Sequence, residues 1–152
     1  MIGIWSEYGQ EYLVSWSILT SIVFTLPLFC APITWAKVLQ WNIPTDTDLA
    51  IYFGRCLGGV GLAICALALN SGITGQGTTT VFNLLFACFI LLTVAHIWGA
   101  IKRIQPITET LEIVFWFGLV AQCCVLSSCL TPPATAGKVN CPEYGDDRSR
   151  SL

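Results

Sequence analysis

Charged residues are scarce in this chain. Its 152 residues include only 7 Lys or Arg and 9 Asp or Glu, which is 11% of the total, whereas soluble domains carry about 25%. So few charges could not solvate the surface of a soluble fold of this length. The formal net charge is −2 and no basic patch is present, which excludes a nucleic-acid partner because phosphates are bound by clustered Lys and Arg.

Signatures of metals and cofactors are also missing. The chain has a single histidine, His96, and its eight cysteines show no C-x-x-C spacing, so neither a zinc site nor attached haem is predicted, and no other cofactor is expected. One histidine with two glutamates is a poor ligand set for a metal. Most cysteines lie within apolar segments as small core or lipid-facing residues. Cys129 and Cys141 lie outside those segments and could pair if their side of the membrane is oxidising.

Hydrophobic sequence is abundant. The chain is 55% hydrophobic with a mean hydropathy of +0.71, and it contains four apolar segments near the roughly 20 residues that a transmembrane helix needs. We therefore predict an all-α fold, an integral membrane four-helix bundle over residues 1–133, embedded in a lipid bilayer. The predicted helices cover residues 13–31, 49–69, 79–104 and 107–130, and a polar tail follows over residues 134–152.

The basic residues near the helix ends predict an orientation. Lys37 lies in the first loop and Lys102 and Arg103 lie at the third, whereas the second loop, residues 70–77, has no charge. Loops rich in Lys and Arg face the cytosol. We expect the first and third loops in the cytosol and both termini on the opposite side.

Ionisable residues within the apolar segments form one candidate site. Arg55, His96, Glu109 and Glu112 are all expected at the cytosolic end, and such residues inside membrane helices are functional suspects because burying them is costly. The short turn between the third and fourth helices makes these helices antiparallel neighbours. This places His96 close to Glu112.

The same antiparallel pairing predicts the surroundings of Glu112. Gly99 should lie level with it and leave space for its carboxylate. Trp116, one turn deeper, should close the cluster on the side of the membrane centre.

Two interpretations of these residues stay open. In the structural one, Arg55 pairs with Glu112 and His96 satisfies a neighbouring polar group. In the functional one, His96, Glu112 and Glu109 are catalytic acids or bases. The head of an apolar small-molecule ligand would then be bound by three further residues, Arg55, Trp98 and Trp116.

Two stretches carry a family resemblance. FTLPLFCAPITWAKVLQW followed by YFGRCLGGVGLAICALAL resembles the small four-helix DoxX-like membrane proteins, which share the proline at the exit of the first helix and the R-x-x-G formed here by Arg55 and Gly58. The chain also resembles the ergosterol-biosynthesis scaffold family of the endoplasmic reticulum. The shared features are the R-x-x-G and a histidine late in the third helix, here His96. The acidic residue that usually follows this histidine is missing from HIWGAIKR. The resemblance spans residues 20–120, implies a multi-pass protein that supports partner enzymes in that membrane, and transfers no catalytic residue.

The sequence thus favours a membrane scaffold or accessory subunit that packs against partner membrane proteins. The alternative is a small intramembrane isomerase or cyclase that acts on a lipid or terpenoid-like substrate. A channel or transporter is less favoured, because no inverted repeat is evident.

Overall fold

The computed structural model describes residues 6–126, and every regular element in that range is helical. Four helical stretches are long and apolar enough to cross a membrane, which confirms the predicted all-α bundle. They are called spans 1 to 4 here: Gly9–Cys30, Asp48–Thr74, Thr78–Lys102 and Ile107–Leu126. A short 3-10 turn, Ser6–Tyr8, precedes span 1, and a short helix, Pro32–Val38, follows it. The predicted tail, the Cys129–Cys141 pair and the end of the fourth predicted helix lie outside the described residues.

Span 1 is continuous but irregular. It is α-helical over Gly9–Thr20 and Leu26–Cys30, with a π-helical turn over Ser21–Thr25 between them. Pro27 has no N–H, and in a regular α-helix its ring would clash with the carbonyl four residues earlier. The wider π turn accommodates the proline, so the irregularity that Pro27 causes lies in the turn before it.

Span 2 continues five residues beyond its predicted end at residue 69. The Ser71 hydroxyl donates to the carbonyl of Gln76 at 2.7 Å, and Gly75 ends the helix in the left-handed conformation, with φ of 72°. The predicted turn over residues 70–77 is therefore shortened to its last three residues.

The small residues of span 2 pack inside the bundle. A Cβ added to Gly58 would lie 2.6 Å from the backbone nitrogen of Phe29, and one added to Gly54 would lie 2.5 Å from Cβ of Pro32. Such close approach between helices needs glycine. The glycines of span 2 therefore serve helix packing within the bundle.

Spans 3 and 4 form a hairpin that packs against span 1 through aromatic rings. Trp16 meets Phe89 edge to face with ring centroids 5.6 Å apart, and Phe24 meets Trp116 at 6.2 Å. All four spans contribute to the buried core, which consists of Leu13, Ala68, Phe82, Leu85, Phe89, Leu119 and Cys123. Arg103, with φ of 54°, ends span 3, and the short connection after it fixes the level at which spans 3 and 4 face each other.

Candidate functional site

The first and third loops lie at the same end of the bundle, as the sequence predicts, and the segment after span 1 contacts the start of span 4. The hydroxyl of Thr108 donates to the carbonyl of Leu39 at 2.6 Å, and the indole N–H of Trp41 donates to Oε1 of Glu109 at 2.8 Å. These bonds join the segment after span 1 to the first turn of span 4.

His96 lies at the centre of the candidate site and uses both ring nitrogens. Its Nδ1 donates to the carbonyl of Leu92, one turn earlier in span 3, at 2.7 Å. Its Nε2 lies 3.0 Å from Oε2 of Glu109 and 3.7 Å from Oε2 of Glu112. The predicted proximity of His96 and Glu112 is confirmed, and Glu109 lies closer still.

The hydrogen bonding requires a proton shared between His96 and Glu109. A carbonyl oxygen can only accept, so the bond to Leu92 fixes a hydrogen on Nδ1. The contact between Nε2 and Oε2 then needs a proton of its own, carried by an imidazolium or by a carboxylic acid. The three side chains are only 13% (His96), 12% (Glu109) and 18% (Glu112) exposed, so this proton is largely shielded from water.

Trp116 closes the cluster on the side of the membrane centre. Its ring lies 5.8 Å from that of His96 and 6.1 Å from that of Phe89. Its indole nitrogen is buried without a hydrogen-bond partner among residues 6–126. The predicted position of Trp116 between the cluster and the apolar core is confirmed.

Gln105 is a member of the site that the sequence analysis missed. Its amide donates to the backbone carbonyl of His96 at 3.0 Å and to the hydroxyl of Thr110 at 3.3 Å. Its side chain fills the space over Gly99. The prediction that Gly99 leaves room for Glu112 is therefore wrong, because the left-handed turn at Arg103 folds Gln105 back over span 3.

Trp41 was missed as well. The only available signal was an indole in a polar loop, which predicts a position at the membrane interface but no particular partner. Its bond to Glu109 depends on how the first and third loops meet, which the bundle's packing determines.

Arg55 does not belong to this cluster, and the predicted pair with Glu112 is wrong. Its side chain is exposed, and within the described part of the chain no carboxylate lies within 4.0 Å of it. The glycine face of span 2, which includes Gly54, packs against span 1. The next residue, Arg55, lies about 100° around the helix and so points to the side, away from spans 3 and 4.

Trp98 also lies away from the cluster. It is 60% exposed, and Nζ of Lys102 lies 5.1 Å from its ring centroid. Two positions separate Trp98 from His96, which places the two side chains about 200° apart on span 3. Of the three predicted ligand-binding residues, only Trp116 borders the cluster.

The arrangement could also hold a divalent metal ion, which the sequence analysis did not predict. One ligand atom from each of His96, Glu109 and Glu112 lies within 4.8 Å of the other two. Nitrogen and carboxylate ligands suit zinc or iron(II), and three protein ligands leave a position for water or substrate. An ion in this place would replace the proton shared by His96 and Glu109.

The fold and the cluster define a multi-pass helical membrane protein with a partly buried His–Glu–Glu group at the end that carries the first and third loops. Comparisons of the chain with protein-family models, with curated proteins and with solved structures find no match. Its function is therefore inferred from its own geometry.

Proposed function

We propose that this protein is a non-catalytic membrane scaffold or accessory subunit, in which the polar cluster holds the bundle together and an outer helix face binds partner membrane proteins. We assign it to the endoplasmic reticulum membrane. That assignment rests on the resemblance to the ergosterol-biosynthesis scaffold family.

The observation that carries the proposal is the closed state of the cluster. Both nitrogens of His96 and both oxygens of Glu109 are occupied by groups of the same chain. The bonds connect span 3, span 4 and the loop that contains Trp41. A buried polar group that is satisfied in this way specifies one arrangement of the helices around it. We call this set of three residues, Trp41, His96 and Glu109, the latch.

Span 4 supplies the surface for a partner. Of its twenty residues only Leu119 and Cys123 are buried, although it is held firmly at its start by the latch. Its outer side carries large apolar residues, among them Val114 at 76% exposed and Phe117 at 66% exposed. Close-packed side chains drive association of helices in a bilayer, and a rigid, wide apolar face of this kind suits such packing.

Site-specific photo-cross-linking tests this assignment. A photoreactive residue at Val114 is expected to give a discrete protein adduct in native membranes. The control is the same residue at Leu67 on span 2, which is 57% exposed but outside the proposed surface, and which is expected to give lipid adducts. Lipid adducts alone at both positions would overturn the scaffold proposal.

A catalytic use of the cluster is the second candidate. The carboxylate of Glu112 lies 3.7 Å from Nε2 of His96 and is 18% exposed, against 12% for Glu109, so it is the carboxylate more available to a substrate. A histidine and a carboxylate at this distance can move a proton, as an isomerase or cyclase that acts on a lipid or terpenoid-like substrate requires.

Deuterium incorporation separates the two candidates. Purified protein is incubated with a membrane lipid extract in D₂O, and the lipids are analysed by mass spectrometry. Proton transfer at carbon would introduce deuterium with wild-type protein but not with the folded variants His96→Ala and Glu112→Gln. The scaffold proposal predicts the same deuterium content with and without protein.

A further inference from the structure

An open groove lies on the outer side of span 2, away from the His96 cluster. It has a volume of about 670 Å³, and Arg55 and Asp48 are its charged residues. Its apolar lining includes Phe29, Ile51, Tyr52 and Val60. One cation, one anion and a long apolar wall thus lie together on a surface that faces the bilayer.

The charges follow a regular order along the helix. Asp48 is the first residue of span 2, at the membrane interface, and Arg55 lies two turns further on, about 10 Å along the axis. They share one face because seven residues make almost two full turns. Among the described residues they form no ion pair with each other or with any other group, so both are available to a ligand.

The apolar part of the groove continues beyond Arg55 toward the membrane centre. Gly59 forms the floor of the groove, because it has no side chain to fill it. A Cβ at this position would lie 3.6 Å from the Phe29 ring, so the floor and the ring border the same space. Val60 and Phe29 are 58% and 44% exposed and border the same space. This wall suits a hydrocarbon chain.

We propose that the groove binds a phospholipid with an ethanolamine head group. Arg55 binds the phosphate, since a guanidinium donates paired hydrogen bonds to phosphate oxygens. Asp48, closer to the water, binds the ammonium. An acyl chain lies over Gly59 against Phe29. Charge complementarity favours this amphiphile over phosphatidylglycerol, whose head group carries no cation to pair with Asp48.

Native mass spectrometry of the detergent-solubilised full chain tests the proposal, with short-chain phosphatidylethanolamine and phosphatidylglycerol as probes. Wild-type protein should retain phosphatidylethanolamine preferentially. Arg55→Gln should weaken its retention about tenfold or more, as expected for loss of a charge-assisted contact. The matched control is Lys37→Gln, which removes an exposed positive charge outside the groove and should leave retention unchanged. Equal retention by Arg55→Gln and wild type would overturn the phosphate site.

Two further variants test recognition of the lipid head group and of the acyl chain separately. Asp48→Asn should abolish the preference for phosphatidylethanolamine over phosphatidylglycerol, and a wild type without that preference would overturn the ammonium site. Gly59→Leu fills the apolar floor without changing any charge, and its Cβ would make only ordinary van der Waals contacts at 3.6 and 3.7 Å. It should reduce retention of both lipids, and unchanged retention would overturn the acyl-chain site.

A water-soluble head group distinguishes a lipid site from a phosphate site. Free phosphoethanolamine lacks acyl chains and is expected not to raise the melting temperature, whereas the lipid should raise it by ligand linkage. Equal stabilisation by phosphoethanolamine and by the lipid would show that the groove recognises a soluble phosphate and would overturn the proposal.

Discussion

The indole N–H of Trp41 donates a hydrogen bond to Oε1 of Glu109 at 2.8 Å, although 68 positions separate the two residues. The other oxygen of that carboxylate contacts His96 at 3.0 Å. Glu109 therefore joins the loop after span 1 to the hairpin of spans 3 and 4. Its position in the first turn of span 4 also suits a carboxylate, because the helix dipole favours negative charge there.

Trp41→Phe should lower stability by about 1 kcal/mol, because it removes one hydrogen bond to a largely buried carboxylate while keeping an aromatic ring at the interface. Thermal unfolding in detergent measures the effect. Trp98→Phe is the control, since Trp98 is exposed and makes no hydrogen bond through its indole within the described chain. Equal melting temperatures for the two variants would argue against the latch.

A double-mutant cycle should show stronger coupling of His96 to Glu109 than to Glu112. The contacts are 3.0 Å and 3.7 Å, and residues in one hydrogen-bonded network couple by about 0.5–3 kcal/mol. The variants His96→Ala, Glu109→Gln and Glu112→Gln, with the two double variants, complete the measurement by thermal or denaturant unfolding. Stronger coupling to Glu112, or no coupling to either glutamate, would show that the shared proton does not stabilise the bundle.

The architecture followed from sequence because it rests on local properties. Segment length and hydropathy give the four spans, and the short connection after Arg103 sets the level of spans 3 and 4, which is why His96 and Glu112 were correctly placed together. The predicted pair of Arg55 with Glu112 was wrong because the sequence does not determine how span 2 is rotated about its own axis. That rotation is fixed by the close approach of Gly58 to Phe29, a contact between distant segments that no local pattern reveals.

The position of Gln105 could not be predicted from sequence either. Its position beside Gly99 depends on the left-handed conformation of Arg103, which an arginine adopts less readily than glycine. The sequence alone gave no reason to expect a turn of that type. For this reason the hydrogen bond from Gln105 to the His96 carbonyl could not be predicted.

Gly58→Ala should destabilise the bundle by about 2 kcal/mol or more, because the new methyl group would lie 2.6 to 2.9 Å from the Phe29 backbone and Cβ and overpacking strains a close-packed interior. Gly118→Ala is the matched control. Nothing lies within 4 Å of a Cβ at Gly118, and alanine is the better helix former, so this variant should be neutral or slightly more stable. Similar melting temperatures for the two variants would contradict the proposed contact between spans 1 and 2.

Removal of divalent metals should leave the melting temperature within about 1 °C of its original value, because the latch as proposed is held by a proton. Unfolding in the presence and absence of EDTA measures this. A metal ion bound to His96, Glu109 and Glu112 would instead stabilise the folded state by linkage. In that case EDTA would lower the melting temperature, added zinc would restore it, and Glu112→Gln would abolish both effects.

The end of the bundle that carries the latch should face the cytosol. The contact between the first and third loops brings Lys37, Lys102 and Arg103 to one end, and the positive-inside rule assigns that end to the cytosol. Single cysteines at Asn42 and Gln76, both exposed amides in opposite loops, test this in sealed microsomes with the cytosolic face outward. The background replaces the exposed or C-terminal cysteines with serine: Cys30, Cys56, Cys129 and Cys141. A membrane-impermeant thiol reagent should label position 42 at once and position 76 only after detergent is added, and the opposite order would reverse the assigned orientation.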